Sequence, residues 1–123
     1  MTDTTLDKFG ELLVRSLRDR AIEQHEMLLA GALRGKDLQA LQQRVASLSP
    51  ELKSLLRELV LDALDVALHD VLLAFQSAHD RDVGVEVLVN GTNAAEHSGM
   101  LHGELFGPDG WVARFSRYPR DVD

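Results

Sequence analysis

The stretch from Ser49 to Asp80 constrains this chain most, and above all its middle, Leu59-Val-Leu-Asp-Ala-Leu-Asp-Val-Ala-Leu-His-Asp-Val-Leu-Leu-Ala-Phe75. Placed at about 100° per residue, its apolar side chains take up most of a helical circumference. Leu59, Ala63, Val66, Leu73 and Ala74 share one side, and Leu64, Leu68, Val71 and Phe75 share nearly the opposite one. A helix apolar on so many sides needs neighbours on several of them. The expectation is therefore a sandwiched helix, with helices on one flank and a β-hairpin on another. Asp62, Asp65, His69 and Asp70 interrupt the run and argue against a membrane span.

The remaining chain reads as packing partners for this helix. Thr4 and Thr5 can cap a first helix beginning near Leu6. Its apolar stripe is Leu6, Phe9, Leu13, Leu17, Ala21, Leu28 and Ala32, and its end lies near Arg34, with Gly35 as the left-handed residue beyond. Lys8, Glu11, Arg15, Arg18, Asp19, Glu23 and Glu26 fill the face expected to meet water. Lys36-Asp37 opens a short second helix with Leu38, Leu41, Val45 and Leu48 as its buried edge. Ser49 then caps the long third helix, and Pro50 takes its first position. That helix runs some 30 residues, or roughly 45 Å.

Near Asp82 the period changes from helical to alternating. Val83, Val85, Val87 and Val89 point one way, as in a strand, and Asn90-Gly91 signals a tight hairpin turn. A weakly patterned return strand runs from Thr92 to about His97. A glycine-rich loop follows, and Trp111 to Ser116 reads as a last strand. The fold class is α+β: a three-helix layer whose long third helix packs on a small antiparallel sheet of two or three strands. One domain spans 1–123, helical over about 5–80 and β over about 83–116, with a loose tail at 117–123.

Charge narrows the function classes. The net charge of −7 is concentrated in residues 50–110, where eleven acidic side chains meet three basic ones, while residues 1–49 balance at seven of each. Such a surface repels phosphate backbones and favours basic partners or cations, so nucleic-acid binding is disfavoured. The absence of cysteine removes disulfides and thiolate metal sites and favours a reducing, cytoplasmic setting. No signal peptide is visible at the amino terminus. Phosphate-binding loops, nucleophile elbows and basic recognition helices are missing.

Three groups of residues could carry chemistry. Glu58, Asp62, Asp65 and His69 fall within about 60° of one another, as an acidic stripe on an apolar helix. They could face a basic partner, ligate a cation, or simply answer water and Arg15, Arg18 or Arg20. Asp70 projects within the apolar arc, where a carboxylate needs donors such as backbone amides of the carboxy-terminal loop, an arginine or Trp111. In the loop, His97, His102 and Glu104 could supply metal ligands or an acid/base pair, or His102 could donate to a carbonyl and pin the loop.

Leu101-His-Gly-Glu104 followed by Gly107-Pro-Asp-Gly-Trp-Val-Ala-Arg-Phe-Ser116, after a helix like Leu59–Phe75, resembles the tail of a family of small uncharacterised bacterial proteins. That resemblance implies a bacterial cytoplasmic setting and transfers no activity. In size and charge alone the chain is also like immunity proteins, which block basic toxin surfaces. The leading expectation is thus a non-enzymatic acidic module, immunity- or inhibitor-like, that binds a basic protein through Glu58, Asp62, Asp65, His102 and Glu104, without cofactor or membrane. A second reading is a divalent-metal protein or metal-dependent enzyme using His69, His97, His102 and Glu104. A third is a structural homodimer joined through uncovered apolar helix surface.

Overall fold

The computed structural model describes residues 4–119. The first helical rod comprises α1 (Thr4–Leu13), a π-helical turn (Val14–Asp19) and α2 (Arg20–Leu29). Since α1 already includes Thr4, Thr5 lies within the helix rather than capping it. A π turn accommodates one extra residue. The inward row therefore runs Leu6, Phe9, Val14, Arg18, Ile22 and Leu29 instead of passing through Leu17 and Ala21. Leu17, expected in the stripe, is 45% exposed, while Arg18 and Asp19, expected in water, are buried. The rod ends at Leu29, earlier than expected. Gly31, at φ 72°, closes it in a Schellman motif, with the Ala32 amide donating to Met27 and the Gly31 amide to Leu28.

Helix α3 (Lys36–Ala46) packs on α2, and buried Gln42 ties the connection by bonding both the amide and the carbonyl of Leu33. Its buried edge is smaller than expected, because Leu41 is 40% exposed. Helix α4 (Pro50–Asp80) is the long one. Ser49 caps it by accepting the Leu52 amide at 3.2 Å, and Pro50 sits at the first position, where no amide is required.

Beyond α4 the expected α+β class holds, with a two-stranded antiparallel sheet whose strands are shorter than the sequence suggests. Among the described residues, only β1 (Leu88–Val89) and β2 (Thr92–Asn93) pair, antiparallel, with Leu88 opposite Asn93 and Val89 opposite Thr92. The Asn90-Gly91 turn has both residues at positive φ, 50° and 82°, as the hairpin signal requires. Val83 and Val85 are exposed and outside any strand. The expected return strand turns at once into α5 (Ala94–Ser98), capped by Asn93 accepting the Glu96 amide. A 3₁₀ turn (Leu101–Glu104) follows, and the expected last strand is instead a short helix, α6 (Trp111–Phe115).

The core lies where these carboxy-terminal pieces meet α1 and the second half of α4. It is built from Leu6, Phe9, Val14, Leu68, Leu72, Ala94, Ala95, Leu101, Leu105, Trp111 and Val112. Trp111 is its largest fully buried side chain, meeting Phe9 edge to face at 5.9 Å between centroids. Gly10 makes this possible: a Cβ there would lie 2.3 Å from the indole. Gln76 holds the 3₁₀ turn down, accepting the Leu101 amide at 2.9 Å while donating to Asp80.

One central expectation needs correction. Helix α4 is not sandwiched. Asp65, Leu68, Leu72 and Gln76 face the core, but Leu52, Leu55, Leu59, Val66 and Leu73 are bare along the other side. The hairpin that was to cover that flank packs by way of β1 against α1 instead.

Candidate functional site

The acidic stripe of α4 is divided by the fold. Asp65 is 1% exposed and paired with a fully buried Arg18: Nε donates to Oδ1 at 2.6 Å and Nη2 to Oδ2 at 3.4 Å. Arg18 Nη1 also donates to Ser116 Oγ (2.8 Å) and to the Tyr118 carbonyl (2.7 Å). Ser116 in turn donates to Asp19 at 2.6 Å, and the Arg117 amide reaches the other Asp19 oxygen at 3.0 Å. Two carboxylates, one guanidinium and the chain at 116–118 thus form one satisfied buried network. Asp65 is consequently a structural residue and offers nothing to a partner. The tail expected to be loose from Arg117 is held as far as Tyr118, and its residues 120–123 lie outside the described residues.

The π turn explains how Arg18 and its neighbour Asp19 can both turn inward. Arg18 is a possible partner of the stripe on sequence grounds, but neither its burial nor the roles of Asp19 and Ser116 are legible there. An extra residue in a helical turn leaves no mark in composition, and an adjacent Arg-Asp pair looks the same on a wet surface.

Glu58 and Asp62 remain on the exposed side of α4, next to Leu55 and Leu59. Asp70 also stands in the open, since the arc to which it belongs is uncovered. Its side chain is 67% exposed and meets His69 Nδ1 at 3.1 Å. It therefore needs no buried donor, and the indole N–H of Trp111, once a candidate, has no hydrogen-bond partner.

His69 and His102 do come together, their rings edge to face at 5.3 Å between centroids. Beside them a small cavity of about 150 Å³ is lined by Asp65, Val66, His69 and Phe106. His102 Nδ1 is buried without a hydrogen-bond partner, so this side chain does not pin the loop through a carbonyl; Gln76 does that work. Glu104 accepts from Ser98 Oγ at 3.4 Å, and His97 is exposed on α5. Among the described residues, no three His, Asp or Glu side chains are grouped to hold one metal ion. No helix among the described residues is long and apolar enough to cross a membrane.

What α4 exposes is thus an apolar row, Leu52, Leu55, Leu59, Val66 and Leu73, with Glu58 and Asp62 along one edge. A rigid helix carrying leucines between 39% and 57% exposed can exclude water against another surface, while its carboxylates select what approaches. The chain matches no protein-family model, no curated protein and no solved structure.

Proposed function

We propose that this protein is a non-enzymatic protein-interaction module whose working surface is the outward side of α4. The observation that carries the reading is the exposed row Leu52–Leu59–Val66–Leu73 on a helix whose second half commits Asp65, Leu68, Leu72 and Gln76 to the core. Burying that row gives affinity, at roughly 25 cal/mol per Å² before the costs of association. Glu58 and Asp62 at its edge, on a chain of net charge −7, favour a basic partner and speed its approach. Glu104 and His102 lie on a different element and contribute less, and Asp65 contributes through the fold alone. A bacterial cytoplasmic setting and an inhibitor-like role against a basic protein belong to the same reading.

Affinity capture from the producing organism, with the native chain and a Glu58→Lys/Asp62→Lys variant as baits, tests it. A basic protein enriched by the native chain, lost from the variant and released by salt is the expected result. Equal recovery by both baits, or none from the native chain at low ionic strength, refutes the basic-partner reading.

A further inference from the structure

We infer that the bare face of α4 is closed by the same face of a second copy, with the two helices running antiparallel. This rests on the reading that the outward side of α4 is an interaction surface, and it assigns the apolar row to self-association, leaving the Glu58 and Asp62 edge to the basic partner.

The first support is the spacing. Leu52, Leu59, Val66 and Leu73 recur every seven residues, and all are exposed. Leu56, Ala63, Asp70 and Ser77 fall between them at four-and-three intervals. This is the seam that lets one helix lie along another with a shallow crossing angle. A patch used against an irregular surface has no need of that period.

The second support is extent. From Leu52 to Leu73 the seam spans about 32 Å. Half the circumference of a helix about 10 Å across, over that length, comes to about 500 Å² on each copy, or about 1,000 Å² in total. That reaches the lower bound for a specific interface without any contribution from other elements.

Charge sets the direction. In a parallel pair each Asp70 would face its own copy across the seam, where like charges repel. Running antiparallel, with the two-fold axis near Ala63, the helix separates the two Asp70 side chains and sets each opposite Leu56 of the second copy, about one helical turn from its Lys53. The small side chains of Ala63 and Ala67 then allow close approach around the axis. An antiparallel two-fold also brings the same helix edge of both copies to one side. Glu58 and Asp62 of each would line a single, doubled acidic surface beside the seam, facing solvent and whatever basic protein it meets.

The self-association is tested without any basic partner, so its failure is separate from that of the basic-partner reading. Sedimentation from about 1 to about 100 μM should show a species of twice the 13.6 kDa chain mass. Leu59→Glu/Val66→Glu should be monomeric throughout that range with unchanged circular dichroism, since both positions are exposed within one copy. In this cysteine-free chain, oxidised Ala63→Cys should cross-link into a dimer and Leu73→Cys should not. A strictly monomeric native chain, or a dimer indifferent to the double substitution, overturns the inference. Ready cross-linking at Leu73→Cys overturns the antiparallel arrangement.

Discussion

The two sides of α4 are made of much the same residues and behave in opposite ways. Inward, Leu68 and Leu72 are sealed and Asp65 is held by the buried Arg18 guanidinium. Outward, Leu59 and Val66 are about half exposed, and Asp70 stands in water against His69. Asp65 and Asp70 lie five residues apart on one helix. One costs several kcal/mol if its partner is lost, and the other little, because only one has been taken out of water. The difference teaches that apolar content tells a helix how much it could bury. Which side is buried depends on the partner elements that reach it.

Removing the Arg18–Asp65 partnership should have the largest effect on this contrast. Asp65→Ala leaves a guanidinium buried without its carboxylate and should cost about 3–5 kcal/mol in urea unfolding. Asp70→Ala should cost less than about 0.5 kcal/mol, as expected of an exposed position. Comparable losses from the two would abolish the distinction. Next comes the apolar pair. Leu72→Ala should destabilise by about 2–5 kcal/mol through the cavity it leaves. Leu59→Ala, measured at a concentration too low for association, should stay within about 0.5 kcal/mol.

Gly10→Ala sharpens the account of the sealed side. Its methyl would drive into the Trp111 indole, for a loss of about 1–3 kcal/mol with altered tryptophan fluorescence, whereas an ordinary exposed helical Gly→Ala change stabilises. A modest loss is expected of Ser49→Ala, about 1 kcal/mol, from loss of the bond to the Leu52 amide. Because that cap serves the whole helix, it should fall equally on both sides; a change confined to self-association would be inconsistent with this role.

Local signals were reliable where the chemistry that decides them is local. Ser49-Pro50 starts α4 because the hydroxyl and the missing proline amide act within one turn. Asn90-Gly91 makes its hairpin because only those residue types accept two left-handed conformations in succession. Trp111 to Phe115 misled because five residues cannot distinguish a strand alternation from one turn and a half of helix. There the outcome was settled by the Val112 amide reaching the Leu105 carbonyl at 3.0 Å and by the slot that Gly10 leaves for the indole. Val83 and Val85 misled similarly, since an alternating run forms a strand only where a neighbour can pair with it. Of the proposed site, Glu58 and Asp62 were visible as an acidic edge. That the leucines beside them are bare was not.

The amino-acid order by itself determined the long α4, its capped start, the hairpin turn, the acidic balance of residues 50–110 and the absence of thiol chemistry. All follow from interactions within a few residues or from composition. Tertiary structure alone decided that Asp65 rather than Asp70 is the buried carboxylate, that Arg18 and Asp19 turn inward, and that one side of α4 stays open. Those outcomes rest on groups 47 and about 100 residues apart meeting in space, and on the π turn that rotates one helix to receive them. Desolvation depends on everything that surrounds a group, and for these residues the surroundings come from far along the chain.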